Sequence, residues 1–416
     1  VLKIVYPICC GIDVHKKFVV ACIASTDSQG ITTYKSKRFS TFTKGLRELK
    51  DWLLANACTF VCMESTGKYW IPVFNILEAT CTITLAHPKY VKAIRGKKTD
   101  KKDAKWIADL FKHDLVCASF MPPLDIRQLR DLMRYRFKLI NLSSSEKART
   151  QNCLTVSNIQ IANVVSDTFG KSSMAIIDRI LENPLDTNFD VTPLIHASMI
   201  PKVPELQLAI DGLITPEQAA KLNIIREHHD AICACKEKLE SVINMLVEPY
   251  RNIIHLLLSV PGIKDFSAIA IISEIGVDMS VFPTSKHLCS WAGLTPTNNE
   301  SAGKKKSVRI SRAGVYIKPL LVQCANAVVT SKKHPKIRNR YLAIKKRRGH
   351  KKAIIAIARM LLTAIYHMIK NGEMYNPELY NKVPSIPSLR DIPLEAALKI
   401  VEKHGFSVMK TETETA

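Results

Sequence analysis

The chain has 416 residues, enough for two or three domains, and carries 60 Lys and Arg against 37 Asp and Glu, a formal net charge of +23. A hydrophobic content of 47% excludes wholesale disorder, so the excess charge sits on a folded surface and points to a polyanionic partner, nucleic acid before membrane. The 12 cysteines form no CxxC pair and no Cys–His array of zinc-finger type, and most lie in apolar runs, as reduced buried thiols do. No basic region followed by an apolar core opens the sequence, and the longest apolar stretch, residues 353–369, contains Arg359 and His367. The reading is an intracellular protein with no membrane span.

In chain order, two strands are expected first, Ile8 to Val14 with Asp13 near its end and Phe18 to Ser25, then a third over about 31–39 after the turn-forming run Thr26 to Gly30. Residues 43–55 have helical periodicity (Leu46, Leu49, Trp52, Leu53). A short buried strand over 59–63 delivers Glu64 at its C-terminal end. A helix over 70–79 and a strand over 81–86, stopped by His87-Pro88, come next. Then follows Lys97-Lys98-Thr99-Asp100-Lys101-Lys102-Asp103-Ala104. Thr99 reads as an N-cap, and the helical spacing of Trp106, Ile107, Leu110 and Phe111 puts Asp100 and Asp103 on one face of the first turn. Alone, such a pair is a solvated helix start. The acids upstream change that reading.

Three strands, helix, strand, helix, strand, helix is the order of an α/β RNase H-like fold. In it the first and fourth strands are neighbours, so Asp13 and Glu64 project side by side with Asp100 and Asp103 opposite. We expect this domain to occupy residues 1–120. A helical linker and coiled-coil region is expected over 121–250, where Pro216 to Leu246 could pair with a second copy or pack as an ordinary helical hairpin. A mainly α domain is expected over 251–376, and a proline-containing tail over 377–416. Within the third region, Ser259-Val-Pro-Gly-Ile resembles half of a helix-hairpin-helix, with a purely structural turn as the competing reading.

Four converging carboxylates would repel one another and raise each other's pKa values unless a cation joined them. Hard oxygen donors suit Mg²⁺, with Mn²⁺ as the alternative, and such ions stabilise both oxygens of an in-line phosphoryl transfer. Lys97, Lys98, Lys101 and Lys102 would meet the nucleic-acid backbone, supplying salt-dependent affinity without sequence information.

The strings Gly-Ile-Asp13-Val-His-Lys, Met-Glu64-Ser-Thr-Gly-Lys-Tyr-Trp and Lys-Thr-Asp100-Lys-Lys-Asp103-Ala resemble the motifs of the DEDD transposases, the Piv-like insertion-sequence recombinases with a RuvC-like N-terminal domain. The similarity continues through Ser166-Asp-Thr-Phe-Gly-Lys-Ser172 and Trp291-Ala-Gly-Leu-Thr-Pro, and covers about residues 8–370. It implies a catalytic serine in the C-terminal transposase domain. The matching string is Glu300-Ser301-Ala302-Gly303-Lys304, with Ala302 where glycine is more usual, and the role passes to Ser301. Lys304, Lys305, Arg309 and Arg312 would hold phosphates there. The resemblance further implies a phosphoserine intermediate, strand exchange between donor and target DNA, guidance by a structured bridge RNA, a dimeric or tetrameric assembly and a cytoplasmic, nucleoid-associated setting. Two other readings stand beside it: a RuvC-like structure-selective endonuclease using metal-activated water, and a catalytically silent nucleic-acid-binding protein.

Overall fold

A computed structural model describes residues 2–65, 67–86, 99–184, 188–296, 299–301, 304–307 and 309–380, with 398, 401–402 and 404–407 beyond them. Lys97 and Lys98 lie outside the described residues, as does most of the expected tail. The chain divides into two compact units, Val1–Leu124 and Asp125–Ala416.

The first unit is built on a five-stranded sheet of β1 (Ile8–Val14), β2 (Phe18–Thr26), β3 (Thr32–Ser40), β4 (Phe60–Glu64) and β5 (Thr82–Ala86), ordered β3-β2-β1-β4-β5. β1 to β3 form an antiparallel meander, whereas β4 lies parallel to β1 and β5 parallel to β4. The parallel half requires crossovers, which the helices α1 (Thr43–Ala55) and α2 (Trp70–Leu77) occupy in part.

Alternation along β1 sorts the two faces. Cys10, Ile12 and Val14 pack with Val61 and Met63 of β4 against Leu46, Leu49 and Leu53 of α1 and Val73 and Leu77 of α2. Cys9 and Cys62 face the other way, onto Ile107, Ala108 and Phe111 of α3 (Asp100–Lys112). Asp13 and Glu64 continue this second set at period two. α3 sits unusually low on the sheet because Gly11 has no side chain. A β-carbon there would lie 2.3 Å from the Ala104 carbonyl oxygen and 2.4 Å from the Ala108 nitrogen.

The second unit is almost wholly helical. Leu124–Val156 forms one long helix. It ends at Val156 because Asn158 turns left-handed (φ 60°) and Leu213 N donates to the Ser157 carbonyl. Pro216–Leu246 runs antiparallel beside it. Arg136 donates to Glu240, His228 Nδ1 lies 3.0 Å from the buried Glu146, and Cys153 Sγ lies 3.0 Å from Gln218 Oε1. The helix therefore makes an intramolecular hairpin.

Pro261-Gly262 turns the chain between the helices Arg251–Leu258 and Asp265–Ile275. Gly262 has φ +83°, and a β-carbon on it would lie 2.6 Å from the Cys324 carbonyl oxygen, so close packing on the helix Ile317–Thr330 accounts for the glycine. Arg134 grips Glu274 through two nitrogens (2.7 and 2.9 Å), and Arg130 donates to the Ser273 and Glu274 carbonyls, occupying acceptors at that helix's C-terminus. His350–Asn371 is the one helix among the described residues long and apolar enough to cross a membrane. It packs against the helices Ile317–Thr330 and Pro335–Arg348, with 56% of its most apolar window buried.

Candidate active site

Asp13 is the penultimate residue of β1, next to Ile12, whose register partner on β4 is Met63. One step further along each strand lie Asp13 and Glu64, on the α3 face and at the carboxyl ends of parallel strands, where open α/β sheets place ligands. α3 begins opposite them. Thr99 has extended backbone, and its hydroxyl accepts from Lys102 N at 3.4 Å, the cap expected from the sequence. Asp100 and Asp103 occupy the first turn, where the helix dipole favours negative charge.

His15 Nε2 lies 3.0 Å from Asp13 Oδ2 and 3.5 Å from Asp100 Oδ1, bridging strand end and helix start. One ligand atom from each of Asp13, His15 and Asp100 falls within 4.8 Å of the other two, a spacing that a single divalent cation spans. Asp13 is only 9% exposed. Burial pushes its carboxyl above the usual carboxylate range. The neighbouring His15 pulls it back down, while Asp103 and Asp100 add to the upward push. A buried acid held beside two like charges is a poor structural device and a good cation ligand. The donor set therefore fits a divalent metal.

Asp103 is half-buried and close enough to act on the charge of Asp13. Glu64 is half-buried at the end of β4; its carboxylate is not part of the three-residue cluster. Lys101 and Lys102 are exposed on the first turn of α3. His15 is the residue that the sequence pattern did not single out. It stands one residue past the end of β1, so the Asp-x-His spacing does not by itself say which way the imidazole turns.

Ser301 belongs to the second unit. It ends a three-residue strand, Asn299–Ser301, paired antiparallel with Lys304–Ser307; Ser301 opposes Lys304, and Glu300 opposes Lys305. The hairpin thus brings the backbone of the serine and two of the expected cationic positions together. Arg309 and Arg312 are exposed on the segment leaving it. Further along, the helix Pro335–Arg348 buries Ile337 and Tyr341 and exposes Lys336, Arg338, Arg340 and the run Lys345 to Arg348.

Comparison with known proteins adds three findings. Residues 10–159 match the family model of the IS110 DEDD transposase. Residues 254–342 match the model described as "Transposase IS116/IS110/IS902 family". The chain is also 27% identical over 169 residues to the "Insertion element IS110 uncharacterized 43.6 kDa protein" of Streptomyces coelicolor, a match covering 40% of this chain and 39% of that protein. The first match contains Asp13, Glu64, Asp100 and Asp103, and the second contains Ser301.

Proposed function

This chain belongs to the IS110 family of DEDD transposases, and from that premise we propose that it is a DNA recombinase of an insertion sequence, acting by serine attack on a phosphodiester with help from a divalent cation. The observation that carries the reading is the convergence of Asp13, His15 and Asp100 within 4.8 Å, on the sheet face that also holds Glu64. We read the first unit as RuvC-like, with residues 1–120 as the catalytic domain, 121–250 as the helical linker and 251–376 as the serine-bearing transposase domain.

Asp13, Glu64, Asp100 and Asp103 would hold Mg²⁺, or Mn²⁺ in its place, with His15 beside them. A cation held there would supply neutralisation of the negative charge that builds up during phosphoryl transfer. Ser301 Oγ attacks phosphorus; the Oγ–P bond forms as a P–O bond to one deoxyribose breaks. The serine proton passes to a base, and the departing sugar oxygen gains one. Strand exchange reverses these events with a new sugar hydroxyl. Lys304, Lys305, Arg309 and Arg312 orient the phosphates and offset developing charge. A serine hydroxyl is a weak nucleophile at neutral pH, so an acceptor for its proton is required, and a carboxylate of the quartet is the candidate.

The partners proposed are donor and target DNA and a structured guide RNA, in a homodimeric or tetrameric assembly. Buried cysteines fit a reducing cytoplasmic setting: burial pushes the Cys9, Cys58 and Cys62 thiols up to about 12. The test is strand cleavage and joining on DNA carrying the element's ends, with the RNA that co-purifies supplied or digested away. Activity that needs both the RNA and a divalent cation supports the reading. RNA-independent hydrolysis of branched DNA supports the nuclease alternative.

A further inference from the structure

The hairpin carrying Ser301 leaves the body of the second unit through a narrow neck. Gly293 (φ +69°) and Gly314 (φ +67°) face each other across it. A β-carbon on Gly293 would lie 2.5 Å from the Ala313 carbonyl oxygen, and one on Gly314 would lie 2.1 Å from that of Ala292. Both backbone conformation and approach distance therefore demand glycine. An isolated antiparallel bridge between Pro296 and Ile310 closes the base of the hairpin just above.

Lys318, in the first turn of the helix Ile317–Thr330, reaches into this neck. Its ammonium donates to the Ser311 carbonyl at 2.7 Å and to the Ala313 carbonyl at 2.8 Å. The second is the oxygen that Gly293 abuts, and Nζ itself lies 3.1 Å from where a β-carbon on Gly293 would be. Among the described residues no carboxylate pairs with Lys318, and desolvation holds its pKa below the usual lysine value. Surface lysines normally stay in water or pair with acids. This one ties two backbone carbonyls of the hairpin's return segment to a rigid helix.

We propose that Lys318 is a positioning residue for the strand-transfer reaction: its two hydrogen bonds to the Ser311 and Ala313 carbonyls fix the neck and thereby the direction in which the hairpin presents Ser301. The inference rests on Ser301 being the nucleophile. It assigns Lys318 no part in the chemistry and no contact with DNA. Catalytic geometry is sensitive to such supports, because a displacement of ~1 Å can cost ~10²-fold in rate. Arginine can donate to both carbonyls, whereas methionine can donate to neither.

The full-length protein and its Lys318→Arg, Lys318→Gln and Lys318→Met variants test this through three readouts: thermal melting, DNA affinity, and the rate of covalent adduct formation on a suicide DNA substrate. Lys318→Met should keep its DNA affinity and slow adduct formation by roughly tenfold or more, and Lys318→Arg should recover most of the loss. Loss of DNA affinity in proportion to charge, with adduct rate unchanged at saturation, would make Lys318 a phosphate contact and overturn the proposal. So would a wild-type adduct rate in Lys318→Met. Should Lys318→Met fail to fold, Lys318→Gln decides by the same comparison. If the wild-type protein itself forms no adduct, the serine reading fails, and amide hydrogen exchange at Gly293 and Ala313 then tests the neck by itself. Faster exchange there in Lys318→Gln sustains the neck role, and unchanged exchange removes it.

Discussion

Gly11 of β1 lies so close beneath Ala104 of α3 that a β-carbon on the glycine would be 2.3 Å from the alanine carbonyl oxygen. That approach sets the height of α3 over the sheet, and with it the distance from Asp100 to Asp13. Gly11→Val should therefore do two things. It should destabilise the protein by roughly 1–3 kcal/mol through overpacking. It should also weaken divalent-cation binding in the population that remains folded, measured by titration calorimetry. Destabilisation with unchanged cation affinity would separate the packing from the site.

Asp13 should trade stability for function. Its carboxyl is raised by burial and by two acidic neighbours, so in the folded protein the ionised form is the disfavoured one. The folded pKa lies above the unfolded value, so the folded state is favoured below that window and loses stability as pH rises through it. Asp13→Asn removes the disfavoured charge. Near neutral pH the metal-free variant should melt a few degrees above wild type, and it should lose the stabilisation that Mg²⁺ or Mn²⁺ confers on wild type. A metal-free variant that melts lower would contradict the electrostatic account.

His15 Nε2 sits between Asp13 and Asp100, hydrogen-bonded to Asp13 Oδ2 at 3.0 Å and 3.5 Å from Asp100 Oδ1. His15→Ala leaves the two carboxylates facing one another. The metal-free protein should melt lower than wild type, and added Mn²⁺ should raise its melting temperature by less than it raises the wild type's, because the imidazole belongs to the donor set. An equal or larger rise would remove the imidazole from that set.

The places of the four acids in the fold could be read from the sequence because each is marked by its element: Asp13 and Glu64 by strand ends, and Asp100 and Asp103 by a Thr99 cap before a helical period; that the four share one cation is our proposal. The strand order could be read for the same reason, since β-β-β-α-β-α-β leaves few right-handed solutions. His15 could not, because it stands one residue past the strand, where local pattern does not say which way a side chain turns. Gly11 could not, because the need for glycine comes from Ala104 and Ala108, which are distant in sequence. The partner of Pro216–Leu246 was likewise undetermined, because an amphipathic stripe states what it wants to bury and not against what. In the structure Glu146, Arg136 and Cys153 answer that.

Nucleic-acid affinity should depend steeply on salt. The exposed cations of Pro335–Arg348 lie on a helix that buries only Ile337 and Tyr341. Each phosphate they neutralise on duplex DNA contributes about −0.9 to the slope of log affinity against log salt. Replacing Lys345, Lys346, Arg347 and Arg348 by glutamine should flatten that slope by about 0.9 for every phosphate no longer neutralised, across unrelated DNA sequences alike. A slope unaffected by the four changes would place the phosphate-binding cations elsewhere on the chain.

The central claim is that Ser301 becomes covalently joined to DNA at a phosphate served by the carboxylate site. The most direct measurement is mass-spectrometric mapping of the adduct trapped on a suicide DNA substrate, whose broken strand cannot be rejoined, in the presence of Mg²⁺. The account predicts a phosphoserine-linked nucleotide on the peptide containing Ser301, absent from Ser301→Ala and from Asp13→Asn. An adduct that persists in Ser301→Ala, or cleavage by wild type with no adduct at all, would contradict it.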